Sequence, residues 1–199
     1  MKQKIILASE SKIRRKLLLQ AEVNFQSIAA KIDEDTIKES LKNEDAKPKD
    51  ISDALAEYKA MRVANNFPTD IIIGCDQILV CNNEIISKAR TLNEAKETLK
   101  LLRGKSHQLL SSAVIYDNNK PVWRTTSRAQ LFMRDFTDEY LEYYIQTSGT
   151  DILSSVGCYL LENNGVNLFN RIQGDYFTVL GFPLLEVLDF LRKRELIKT

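Results

Sequence analysis

Two hydroxyl groups and two guanidinium groups lie close together where an apolar run ends near the start of the chain. The apolar run Ile5–Ala8 ends in the polar stretch ASESKIRR, residues 8–15. A helix that begins here presents free backbone N–H groups and the positive end of its dipole. Ser9, Ser11 and Arg14 could therefore hold a phosphate-like anion, since the arginine fork matches its oxygens. The alternative is a helix capped by Ser11 and followed by an exposed basic turn.

A carboxylate interrupts the segment with the strongest strand pattern, DIIIGCDQILV at residues 70–80. A buried carboxylate without a partner is costly, so either a cation lies beside Asp76 or Asp76 faces a cleft. Asp76 could be a salt-bridged structural residue, a metal ligand or a base that activates water. Gly74, inside the same strand, indicates a bulge or the close approach of another group.

A second acidic group, Asp33-Glu34-Asp35, follows a predicted short strand. Hard divalent cations prefer carboxylate oxygens, so carboxylates from two segments could share one Mg²⁺. A solvated charge run is the alternative. Lys59 lies within an amphipathic helical pattern and Lys88 follows a predicted hairpin, and single lysines of this kind are exposed by default.

Alternating strand and helix patterns position these residues. Strands are predicted at residues 4–8, 24–29, 70–80, 84–86, 106–116, 122–133 and 156–161. Helices are predicted at residues 12–20, 50–65, 91–103, 137–147 and 181–194. The alternation at the front and the long central hairpin predict an α/β fold with a mixed sheet. No linker or repeat divides the chain, which predicts one domain over residues 1–199.

Charge and cysteine usage narrow the class of protein. A net charge of +1 over 199 residues provides no global field for nucleic acid or an anionic membrane. Three cysteines without a CxxC motif and a single histidine cannot supply the usual zinc ligands. No apolar run approaches the roughly 18–20 residues that cross a bilayer. We expect a cytoplasmic protein in a reducing compartment.

Taken together, these segments resemble the Maf family of nucleotide pyrophosphatases over nearly the whole chain. Five motifs carry the resemblance, in order: LASESKIR at 7–14, IDE at 32–34, AEYKA at 56–60, GCDQ at 74–77 and GFP at 181–183. The chain departs from the family at two points. Lys12 stands where the family usually has proline, and Ser87-Lys88-Ala89 stands in place of Gly-Lys-Pro.

The resemblance implies an enzyme that cleaves a nucleoside triphosphate between its α- and β-phosphates, leaving the monophosphate and pyrophosphate. It implies an elongated Maf/ITPase-like fold, a central mixed sheet flanked by helices, two lobes around an active-site cleft, and a homodimer. Asp76 matches the catalytic carboxylate, and Glu34 and Asp76 would hold Mg²⁺ or Mn²⁺. Arg14, Lys59 and Lys88 would bind phosphate together with the serine hydroxyls.

Base choice in the family is linked to three positions, which here align with Ile13, Gln77 and Glu162. Gln77 and Glu162 look like the subgroup that acts on 7-methyl-GTP, whereas Ile13 stands where that subgroup usually has an aromatic residue. A surface charge at the edge of a turn is the alternative for Glu162. Two alternative functions are a nucleotide-binding regulator of cell division with little or no turnover, which does not need Asp76, and an RNA- or tRNA-binding module, which the net charge of +1 disfavours.

Overall fold

The computed structural model describes residues 3–198, and within them strands and helices alternate around one mixed sheet. Its strands are β1 (Ile5–Ala8), β2 (Phe25–Ser27), β3 (Ile71–Cys81), β4 (Glu84–Ile86), β5 (Ser106–Asp117), β6 (Lys120–Met133) and β7 (Phe169–Gln173). Its α-helices are α1 (Lys12–Gln20), α2 (Glu34–Asn43), α3 (Pro48–Ala64), α4 (Leu92–Leu102), α5 (Asp138–Ser148), α6 (Tyr176–Val179) and α7 (Leu184–Lys193). Two 3₁₀ helices, Gly149–Ser154 and Asn164–Leu168, lie between α5 and β7. The predicted α/β class with a mixed sheet is confirmed.

The sheet has the strand order β2-β1-β3-β5-β6-β7, and β4 pairs with β3 off this path. β1 is parallel to both of its neighbours and aligns Ala8 with Gly74. β3 continues beyond this pairing, and its residues Leu79–Cys81 pair with the antiparallel strand β4. Asp76 therefore lies between the range of β3 that pairs with β1 and the range that pairs with β4.

The chain forms two compact units. Of the described residues, the first unit contains 3–77, 111–127 and 181–198. Its core includes Ile6, Ala60, Val63, Ile72 and Val114, contributed by β1, α3, β3 and β5. Proline is favourable in the first turn of a helix, which accounts for α3 beginning at Pro48 rather than at the predicted residue 50.

The second unit contains Ile78–Leu110 and Arg128–Leu180. Its core includes Leu99, Leu131, Leu141 and Tyr144. Thr91 caps α4 by accepting a hydrogen bond from the Glu94 N–H, as the capping pattern predicts. That the substrate binds in a cleft between two lobes, and that the chain is one domain, stay predictions.

The predicted strand at residues 156–161 is wrong. Cys158 has a φ of +58°, and its N–H donates to the carbonyl of Ser155 in a turn. A left-handed residue inside a turn cannot continue an extended strand. Glu162 consequently lies in a turn, and the late strand is β7, which the pattern did not predict. Within residues 3–198, no helix is both long enough and apolar enough to cross a membrane.

Candidate active site

The residues predicted to hold an anion surround the start of α1. Ser11 caps this helix and accepts a hydrogen bond from the Arg14 N–H at 3.4 Å. The Ser9 hydroxyl accepts from the Ser11 N–H at 3.2 Å, and the Ser9 carbonyl accepts from the Ser27 hydroxyl at 2.6 Å. The predicted cap is confirmed, and the hydroxyl groups of both serines lie at the positive end of the helix.

Arg14 is buried, so the alternative of an exposed basic turn does not describe its side chain. Its Nε donates to the Gly181 carbonyl at 2.7 Å. Its Nη1 donates to the Cys75 carbonyl at 3.0 Å and to the Ser9 hydroxyl at 3.4 Å. The guanidinium therefore joins the start of α1, the centre of β3 and the turn before α7. Contact of Arg14 with a phosphate stays a prediction.

Lys59 links two carboxylates from different segments. Its ammonium lies 2.7 Å from Asp76 Oδ1 and 2.8 Å from Glu34 Oε1. The Asp76 side chain is 5% exposed, that of Lys59 is 11% exposed and that of Glu34 is 41% exposed. The structure thus brings together Glu34, Lys59 and Asp76 from α2, α3 and β3, and Lys59 is buried although single lysines are exposed by default.

The same ammonium acts on two carboxyl groups with opposite net results. Burial raises the pKa of Asp76 above its ordinary value, and the nearby charge of Lys59 only partly offsets this. Burial also raises the pKa of Glu34, but there the charge and hydrogen bond of Lys59 outweigh it and the pKa is lowered. The difference follows from exposure, because water still solvates Glu34 whereas Asp76 is enclosed. Asp76 is therefore the better proton acceptor of the two.

The close approach of α3 to β3 places Lys59 beside Asp76. A Cβ added at Gly74 would lie 2.1 Å from the Ala56 carbonyl oxygen and 2.6 Å from the Ala60 nitrogen. Only glycine leaves room for the helix backbone at this distance. The predicted close approach at Gly74 is confirmed, and the two alanines of the AEYKA motif supply the other half of the contact.

Asp33 and Glu34 of the acidic stretch make different contacts. Asp33 caps α2, since its carboxylate accepts hydrogen bonds from the Thr36 N–H at 3.1 Å and the Thr36 hydroxyl at 2.9 Å. Glu34 is the first residue of α2 and turns to Lys59. The alternative of a solvated charge run therefore describes Asp33, which is exposed, whereas Glu34 is half-buried and contacts Lys59.

The three residues predicted to choose the base, and Lys88, which is predicted to contact phosphate, are distributed over both units. In the first unit, Gln77 donates to the Ser111 hydroxyl at 3.1 Å, and Ile13 is half-buried on α1. In the second unit, Lys88 is exposed between β4 and α4, and Glu162 is half-buried beside Tyr176. Contact of these residues with a base or a phosphate stays a prediction.

Sequence reasoning missed the backbone acceptors that position Arg14 and the hydroxyl that meets Gln77. The carbonyls of Cys75 and Gly181 carry no sequence signal of their own. Gly181 lies in the GFP motif and has a φ of +89°, a conformation that favours glycine. Ser111 lies in an apolar strand, where a buried hydroxyl needs a partner. That requirement was the available signal.

Glu34 and Asp76 suit a divalent cation by the chemistry of their oxygens. Asp76 Oδ2 is buried and has no hydrogen-bond partner, so it is available as a ligand. Mg²⁺ is commonly held by one or two carboxylates together with substrate phosphates. Across residues 3–198, no group of three or more His, Cys, Asp or Glu side chains is placed to hold a metal ion. Two carboxylates therefore fit such a cation only if other oxygens complete its shell.

Comparison with known proteins places this geometry in a family. A family profile described as Maf-like protein matches residues 4–194. A Ruegeria sp. (strain TM1040) protein named nucleoside triphosphate pyrophosphatase is 46% identical over 98% of both chains. One of the same name from Caulobacter vibrioides is 46% identical over 94% of both chains. A Rhizobium meliloti protein named 7-methyl-GTP pyrophosphatase is 42% identical over 97% of both chains. The resemblance in the motifs is confirmed, and this chain belongs to the Maf family.

Proposed function

We propose that this chain is a nucleoside triphosphate pyrophosphatase, a hydrolase that releases a nucleoside monophosphate and pyrophosphate. The observation that carries the proposal is the enclosed Asp76 carboxylate, held by Lys59 and left with one unpartnered oxygen. The names of its relatives support the same reaction class. A nucleotide-binding regulator would need the cationic residues but would have no use for this carboxylate.

In the proposed reaction, Asp76 accepts a proton from a water molecule that attacks the α-phosphorus. The new bond joins the water oxygen to this phosphorus, and the bond from phosphorus to the bridging oxygen of the β-phosphate breaks. The electron pair leaves with pyrophosphate. The raised pKa of Asp76, caused by its burial, favours proton acceptance near neutral pH. Lys59 and Arg14 offset charge on the phosphate oxygens, as phosphoryl transfer requires.

We propose that Glu34 and Asp76 hold Mg²⁺ or Mn²⁺, with water oxygens completing the shell before nucleotide binds. When bound, such a cation neutralises phosphate charge and lowers the pKa of a coordinated water. Lys88 is proposed as a further phosphate contact, although the family's flanking glycine and proline are absent from Ser87-Lys88-Ala89. Ser9 and Ser11 would add hydroxyl and N–H donors at the start of α1.

The proposed substrates are modified nucleotides, with a weak preference for 7-methyl-GTP. The relative from Rhizobium meliloti supports this preference through its name, and Gln77 and Glu162 support it through the family pattern. Glu162 would accept hydrogen bonds from guanine N1–H and the exocyclic amine. Ile13 argues against a stacked cationic base, because it offers no aromatic face.

The test is release of pyrophosphate from a panel of 7-methyl-GTP, UTP, dTTP and CTP with Mg²⁺ or Mn²⁺. We expect Asp76→Asn to lower turnover by about 100-fold or more. Asp70→Asn is the matched control, since Asp70 immediately precedes β3 and accepts a hydrogen bond from the Lys4 N–H. Release of orthophosphate would contradict the cleavage position. Binding of triphosphate without turnover would favour the regulator.

We further propose that the protein is cytoplasmic and forms a homodimer. All three cysteines, Cys75, Cys81 and Cys158, are free and buried, which supports a reducing compartment. The homodimer is supported by the family resemblance alone. Size-exclusion chromatography with light scattering would distinguish the 22.8 kDa monomer from a particle of twice that mass.

A further inference from the structure

The Lys59 ammonium occupies the space between the two carboxylates that the proposed function assigns to a divalent cation. Its nitrogen lies 2.7 Å from Asp76 Oδ1 and 2.8 Å from Glu34 Oε1. These are distances of charge-assisted hydrogen bonds. Lys59 thus already serves as the cation that links Glu34 on α2 to Asp76 on β3.

Asp76 is only half satisfied by this contact. Its Oδ2 is buried without a hydrogen-bond partner, and the side chain is 5% exposed. A buried carboxylate oxygen in this condition has lost its water without receiving a donor in exchange. A second positive group at Oδ2 would remove that deficit, but it would stand a few ångströms from the Lys59 ammonium and repel it.

We propose that Lys59 is a resident counter-ion that gives up its contact with at least one of the two carboxylates when a divalent cation binds. The inference rests on the proposed role of Glu34 and Asp76 as cation ligands. Lysine suits the task because its charge is compact and its stem is flexible, so the ammonium can leave without moving the helix. The released ammonium then becomes available to a phosphate oxygen.

The first test measures Mn²⁺ affinity without nucleotide, by electron paramagnetic resonance of free Mn²⁺. We expect Lys59→Met to lower the Kd about tenfold or more, because the cation no longer competes with the ammonium. Lys38→Met is the matched control, since Lys38 lies 3.6 Å from the other oxygen of Glu34 and is more exposed. Its Kd is expected to change less than about threefold. An equal or higher Kd for Lys59→Met, or no Mn²⁺ binding by either protein, overturns the proposal.

A second measurement uses the unchanged chain, so the proposal is testable even if Lys59→Met does not fold. The ¹⁵Nζ chemical shift and proton exchange of a lysine ammonium respond to its hydrogen bonds, so NMR follows the contacts of Lys59 with Asp76 and Glu34. We expect Mg²⁺ to shift this signal or to remove its protection. A signal unchanged at saturating Mg²⁺ overturns the proposal. Neither test depends on pyrophosphate release, so a failed hydrolysis assay and a failed exchange are separate results.

Discussion

Gly74→Ala is the substitution with the most direct structural prediction. The added methyl group would lie 2.1 Å from the Ala56 carbonyl oxygen, 2.6 Å from the Ala60 nitrogen and 2.8 Å from the Ala60 Cβ. The first two atoms belong to the helix backbone, so no side-chain rotation can relieve the contact. Removing the Ala60 methyl group would not relieve it either.

The size of the effect follows from these distances. Contacts of a Cβ below 3.0 Å essentially never occur, so α3 must move away from β3 by about 1 Å. Overpacking of this kind costs about 2 kcal/mol of unfolding free energy, which corresponds to a Tm lower by roughly 4–8 °C in a chain of this size. Lys59 moves with the helix, and its 2.7 Å contact with Asp76 lengthens. A misplacement of about 1 Å can reduce turnover by about 100-fold.

The assay pairs thermal unfolding, followed by circular dichroism, with pyrophosphate release. Gly149→Ala is the control, because its φ is +57° and nothing lies within 4 Å of an added Cβ. Its ψ is −148°, so alanine there should cost about 1–3 kcal/mol through backbone conformation alone and leave turnover unchanged. It thus matches the loss of stability without moving Lys59. If Gly74→Ala melted within about 1 °C of the unchanged protein, the steric reasoning would be refuted.

Two further predictions concern the buried guanidinium of Arg14 and the buried imidazole of His107. Arg14→Lys should lower the free energy of unfolding by about 2 kcal/mol, because one ammonium cannot replace the hydrogen bonds to the Gly181 and Cys75 carbonyls. Arg15→Lys is the control. Equal urea midpoints for the two variants would contradict this prediction. Burial lowers the pKa of His107 from 6.5 to about 4, so the unfolded chain binds the extra proton between these values. The unfolding free energy is then highest above pH 6.5 and falls by up to about 3 kcal/mol as the pH drops towards 4. Urea unfolding of the unchanged protein and of His107→Gln at several pH values measures this loss. If the unfolding free energies of the two proteins changed in parallel with pH, the prediction would be wrong.

The start of the candidate site was predictable from local patterns. A strand followed by a capped helix is predicted by the apolar run, the two serines and Arg14, and the structure has both elements. Asp76 was identifiable because a carboxylate within an apolar strand must find a cation. These features depend on a few adjacent residues, where sequence patterns are most informative.

What could not be predicted depends on tertiary contact. The helical period of α3 allows either Tyr58 or Lys59 on its buried face. Over the whole residue, Tyr58 is 41% exposed and Lys59 is 9% exposed. The choice was decided by Gly74, which admits the helix backbone and requires small residues opposite it. The strand predicted at residues 156–161 failed because the apolar residues there pack from turns rather than from an extended chain.

The hydrogen bond from Arg14 to Gly181 joins residues that are 167 positions apart, and this has a consequence for synthesis on the ribosome. The first unit cannot close until the chain beyond Gly181 has emerged, since that segment supplies the acceptor and α7. Closing so long a loop is slow compared with the formation of local contacts. A chain that stalls before Gly181 therefore leaves Arg14 without this acceptor and lacks α7, whose Leu184, Val187 and Leu191 are buried in the folded protein. The apolar surface left uncovered at that stage is the kind that chaperones bind.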